Sequence, residues 1–125
     1  MQGRRQIPTT IPSSLGGGQP RHETAAITWI GSDHAVVARR WATDEVDVAE
    51  IDRDMADDGE RFLARIAHEI GDPDHVLVMG TESLRLELER EYVAVSHRPD
   101  RIMDAEPATE PTREELLARL REVPA

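Results

Sequence analysis

At 125 residues the chain is long enough to bury one modest core and too short for two domains that each stand alone. It contains no cysteine, which excludes a disulfide framework, a thiolate metal site and a cysteine nucleophile, and makes the cytoplasm the expected compartment. The formal charge of −10 is uneven: residues 1–22 carry Arg4, Arg5 and Arg21 and no acid, a net +3, so residues 23–125 hold 12 arginines against 25 acids, a net −13.

Residues 1–22 combine three prolines and four glycines with isolated aliphatics. Such a segment buries too little apolar surface to offset its ordering entropy, and it reads as a disordered, arginine-bearing arm. A folded body is expected over 23–125. It opens with Ala25–Ile30, a short buried strand that Gly31-Ser32-Asp33 ends with turn chemistry. His34–Trp41 follows as a second strand, and the two read as a hairpin. Glu45–Ile51 alternates, with Val46, Val48 and Glu50 on one face and Asp47, Ala49 and Ile51 on the other. Its charges suit an edge strand that must not pair with neighbours.

Beyond the acidic stretch 52–58, Phe62, Leu63, Ile66, Ala67 and Ile70 recur at helical spacing until Gly71, with Asp57 and Asp58 placed to cap the start. His75–Met79 is a continuous apolar run, the pattern of a strand covered on both faces, and Gly80 ends it. Thr81 stands where a second helix carrying Leu84 and Leu88 begins. Tyr92–Val95 then reads as a fifth strand. Residues 98–111 hold Pro99, Pro107 and Pro111 and read as an irregular connector. Thr112 and Glu115 form a capping box before Leu116, Leu117, Leu120 and Val123, a third helix.

The expected fold class is therefore α/β: a single βββαβαβα domain. Right-handed crossovers place the fourth strand parallel to and beside the first, giving a mixed five-stranded sheet of order 3-2-1-4-5 with helices on its faces. That arrangement is ribonuclease-H-like.

The chemistry such a sheet often carries is not spelled out in these residues. A two-metal nuclease needs acids on the central strand and at the end of the fourth; the first strand has none, the fourth ends Val78-Met79-Gly80, and Asp33 and Glu60 lie apart from both. His68, Asp72, Asp74 and His75 are close in sequence, but their spacing is no known ligand pattern and a Gly/Pro turn separates the histidines. His34 and His97 look isolated. Ser83 and Ser96 lack the glycines of a nucleophile elbow. Gly80-Thr81-Glu82 opens a helix after a parallel strand, yet one glycine without a lysine is more simply a capped turn than a phosphate cradle. Glu82, Glu87, Glu89 and Glu91 make a solvated acidic face. No catalytic residue, metal or cofactor is expected.

The strand Ile27-Thr28-Trp29-Ile30 with its Asp33-His34-Ala35 turn, together with Asp74-His75-Val76-Leu77-Val78-Met79-Gly80, resembles a group of small bacterial proteins. These include the translational machinery and host-attachment proteins, and they are similar to the middle domain of eukaryotic and archaeal class-1 peptide-chain release factors. The resemblance covers about residues 24–122 and implies a translation-linked role. In the release-factor domain a Gly-Gly-Gln loop between the third strand and the first helix helps place the hydrolytic water. The equivalent stretch here, 52–59, is acidic and lacks the triplet. Gly17-Gly18-Gln19 does occur, but ahead of the first strand, where a glycine-rich linker is the simpler account.

The expectation drawn is a non-enzymatic binding module associated with the translation machinery, either the ribosome or a release- or hibernation-type factor. Arg4, Arg5 and Arg21 would contact RNA phosphates while the body docks on protein. Generic DNA binding by the acidic body is not expected, because it depends on counterion release by a basic surface. Neither is a membrane partner, because no run approaches the roughly 20 apolar residues of a span and Arg4-Arg5 is followed by Pro, Thr, Ser and Gly rather than a signal-peptide core. Two alternatives stand beside it: a peptidyl-tRNA hydrolase acting through Gly17-Gly18-Gln19, and an interaction or oligomeric scaffold using the edge at 45–51 or the third helix. The oligomeric state is not legible.

Overall fold

The computed structural model describes residues 22–54, 58–103 and 109–124. The strands are β1 (Glu23–Ile30), β2 (His34–Trp41), β3 (Val46–Asp52) and β4 (His75–Gly80); the helices are α1 (Gly59–Ile70), α2 (Glu82–Ser96) and α3 (Arg113–Glu122), with a 3-10 turn at Pro99–Arg101. The sheet order is β3-β2-β1-β4, with β1–β2 and β2–β3 antiparallel and β1–β4 parallel. The expected hairpin, the edge position of β3 and the parallel β1–β4 pair are all present.

Alternation along the strands divides the core in two. Ala26, Ile30, Ala35, Val37, Val76 and Val78 face α1 and α2, which deliver Phe62, Ile66, Ile70, Leu88 and Tyr92. Ala25, Ile27, Val36, Ala38, Leu77 and Met79 face α3, which delivers Leu116 and Leu120. β4 is buried on both faces, as its unbroken apolar run predicts. Thr28, fully buried in the middle of β1, donates its hydroxyl to the Val36 carbonyl (3.0 Å), so its burial leaves no unmet donor. Gly80 has φ +136, and a Cβ there would stand 2.5 Å from the Ile30 carbonyl; glycine lets the two parallel strands end side by side.

The helix starts follow their caps. The Asp58 carboxylate accepts from the Arg61 N–H (2.9 Å), and Thr112 and Glu115 form the reciprocal capping box. Thr81 occupies the N-cap of α2 without a side-chain cap bond.

The expected fifth strand is corrected. Tyr92–Val95 forms the last turns of α2, so the sheet has four strands among the described residues and the five-stranded, ribonuclease-H-like order is not formed. Leu84, Leu88 and Tyr92 repeat every fourth residue, and this one stripe packs Leu88 and Tyr92 fully into the core. That burial overrides the local strand preference of Val93 and Val95. Where a fifth strand would lie, Ile102 makes a single parallel bridge to Val76, and Met103 N–H donates to the Val76 carbonyl (2.7 Å).

Candidate interaction surface

The residues singled out for RNA contact, Arg4, Arg5 and Arg21, and the triplet Gly17-Gly18-Gln19, lie outside the described residues. Their point of attachment is described. His22 Nε2 bonds the Asp74 carboxylate (2.8 Å), and its carbonyl accepts from Ala42 N–H (2.8 Å), so the chain enters β1 held from the start of β4 and the end of β2. Arg101 reaches the same corner: it donates to the Pro73 carbonyl (2.6 Å) and stands 3.6 Å from Asp72 and 3.9 Å from Asp74.

Beside this corner Glu23 is 7% exposed. Its Oε1 accepts from Asp72 N–H (3.3 Å), while Oε2 is buried without a hydrogen-bond partner. Gly71, at φ +75, packs over it so closely that a Cβ would stand 2.5 Å from Oε1. Burial raises the carboxyl to about 7, against the opposing pull of the Arg39 guanidinium and the Asp72 N–H. Glu23 is enclosed by protein, which makes it a proton-holding structural acid of the corner.

Arg39 joins three elements. It makes a two-pronged pair with Asp47 across the β2–β3 register (3.1 and 3.2 Å), donates to the Glu69 carbonyl (3.3 Å) and lies over the Trp41 ring at 5.1 Å. On the opposite face Arg40 donates to the carbonyls of Leu120 (2.8 Å), Val123 (2.9 Å) and Pro124 (2.9 Å), and to Thr24 Oγ1 (2.9 Å). It thereby satisfies the end of α3, where helix carbonyls lack intrahelical donors.

His34 is the residue whose surroundings the sequence concealed. Its Nδ1 faces Asp33 Oδ1 and its Nε2 faces Glu110 Oε2, both at 3.0 Å, and its ring stands 5.2 Å from Trp29. Ionised carboxylates only accept, so this arrangement favours the protonated ring, which donates from both nitrogens. The bonds to Glu110 and then Asp33 raise it to about 8, and the same pairing lowers Asp33. With both nitrogens engaged, neither serves a substrate as a base; the arrangement ties the β1–β2 turn to the entry of α3. Asp33 is adjacent in sequence and visible there, whereas Glu110 is 76 residues away.

The cluster His68, Asp72, Asp74 and His75 is not assembled. His68 lies on α1 along a groove shared with Glu50, Asp52 and Asp54, Asp72 and Asp74 flank Arg101, and His75 begins β4 in step with Leu77 and Met79, on the α3 side of the sheet. His97 closes α2 in the left-handed conformation (φ 59, ψ 30). Among the described residues no helix is long and apolar enough to cross a membrane.

No family model matches the chain, and no curated protein matches it. Solved structures do. One described as an archaeal protein aligns over 76% of this chain and 32% of its own, with a TM-score of 0.58 and 13% identity. The crystal structure of Archaeoglobus fulgidus Pelota, described as revealing inter-domain structural plasticity, aligns over 81% of this chain and 31% of its own, with a TM-score of 0.58 and 10% identity. The chain thus spans about a third of the length of these structures, and what it shares with them is a fold.

Proposed function

We propose that this chain is a non-enzymatic binding module of the translation machinery, whose acidic body docks on protein and whose Arg4, Arg5 and Arg21 contact RNA phosphate. The observation that carries the reading is the backbone likeness to Archaeoglobus fulgidus Pelota over 81% of this chain, beside the resemblance of residues 24–122 to the release-factor middle domain. The division of charge supports it: +3 on residues 1–22 and −13 on the remainder suit phosphate contact by the first and not by the second. The engagement of both His34 nitrogens and the enclosure of Glu23 support a binding role over a catalytic one. The test is co-sedimentation of the full chain with ribosomes from a cell lysate at low salt. Recovery with the ribosomal pellet is expected; a chain that stays in the supernatant overturns the proposal.

A further inference from the structure

β3 is an edge of the sheet: among the described residues it pairs with β2 alone. At one end of that ladder Trp41 N–H donates to the Glu45 carbonyl, and just past the other Arg53 N–H donates to the Asp33 carbonyl (2.9 Å each). Hydrogen-bonded and non-hydrogen-bonded pairs alternate along an antiparallel ladder. Counting between those two bonds gives the backbone groups of Asp47, Ala49 and Ile51 to β2, and turns the N–H and C=O of Val46, Val48, Glu50 and Asp52 outward. Arg65, on α1, already donates to one of these outward groups, the Asp52 carbonyl (2.6 Å). The row of outward groups along Val46, Val48 and Glu50 has the spacing of a further strand.

An edge is commonly blunted by a bulge, a proline or shortness. β3 has none of these: it runs seven residues in unbroken register with β2 and holds no proline. What it carries is charge of one sign. Asp47 is spent on Arg39, but Glu50 and Asp52 are exposed. They border a groove of about 560 Å³ against α1, with Ile51, Ala64 and His68 in its walls.

That charge selects the occupant. β3 contains three acids and no base, so the same strand of a second copy offers Glu50 and Asp52 no counter-charge in any register and brings acid towards acid. A basic strand meets both needs at once: its backbone completes the ladder, and its alternate side chains face the two acids. The Arg65 contact shows that the edge accepts a guanidinium.

We propose that β3 takes up an extended, basic segment of a partner protein as an added edge strand, with arginine or lysine opposite Glu50 and Asp52 and aliphatics opposite Val46 and Val48. Backbone bonds supply the affinity and the acids choose the sequence. This docking gives the acidic body a protein contact and stands independently of the ribosomal reading.

The probe is a synthetic peptide capped at both ends, Arg-Thr-Arg-Thr-Val-Thr-Val, which sets its arginines opposite the two acids when antiparallel to β3. It is added to the isotope-labelled full chain and followed by NMR and amide exchange. In the free chain Val48 and Glu50 amides should exchange quickly while Ala49 and Ile51 amides exchange slowly. With peptide, Val48 and Glu50 should become protected and shift most. Methylating the backbone nitrogens of the second arginine and the first valine keeps every charge and should weaken binding several-fold, as should Glu50→Arg. No binding, shifts centred on the glutamates of α2, or equal affinity for the methylated peptide overturns the proposal. So does protection of Val48 and Glu50 without peptide: if it is independent of concentration the chain covers its own edge, and if it grows with concentration a second copy does.

Discussion

A carboxyl packed beneath Gly71 with one oxygen unpartnered is easier to bury neutral than charged, and Glu23 is raised from 4.5 to about 7 accordingly. Because the folded state binds this proton more tightly than the unfolded chain, the stability it contributes is complete below about 4.5 and is lost as pH rises through about 7. Glu23→Gln keeps the shape and removes the ionisation. In urea titrations it should be more stable than the parent at pH 8 by about 1–3 kcal/mol and flatten the decline between pH 5 and 7. His34 acts in a higher window: its pairing with Glu110 and Asp33 stabilises fully below 6.5 and is lost as pH rises through about 8. Its ring resonances should titrate near 8 by NMR, and Glu110→Gln should lower that midpoint; a midpoint unmoved by Glu110→Gln contradicts the pairing. Asp33-His34 could be read from the sequence, but the second carboxylate could not, since Glu110 reaches His34 only after α3 has packed on the sheet. Glu23 likewise precedes the strand expected at Ala25–Ile30, and only the approach of Gly71 buries it.

Elements that carry their own boundary chemistry were legible. α1 has Asp58 at its N-cap and Gly71 past its end, and α3 has the Thr112–Glu115 box; both form where those residues predict. The hairpin and the order of the first four strands followed from turn residues and crossover handedness. α2 was legible only in its first half, because Tyr92-Val93-Ala94-Val95 has the local pattern of a strand while the i+4 repeat begun by Leu84 and Leu88 continues through Tyr92. Val95, 59% exposed, shows how little of that run is strand-like in its surroundings. The anchoring of α3 was not legible, since it depends on Arg40 reaching three carbonyls some 80 residues away. Arg40→Ala should cost about 2–3 kcal/mol in chemical denaturation, and amide exchange should quicken first in α3. Loss spread evenly over the sheet would contradict this role.

For the whole molecule, the division of charge was fully legible, and it separates a segment suited to phosphate from a body that repels it. Likeness to Pelota shows a shared fold, at an identity too low to carry residue roles across. The carboxyl of Glu23 and the imidazole of His34, whose ionisation is shifted, hold parts of the fold together. The decisive measurement is the salt dependence of ribosome binding by the full chain beside the triple variant Arg4→Gln, Arg5→Gln, Arg21→Gln. The parent should bind at low salt and the variant more weakly, its plot of log affinity against log salt shallower by roughly 2–3, as expected when three arginines no longer neutralise phosphates. Ribosome binding with an identical slope in both chains, or no binding by the parent, would contradict this mode of binding.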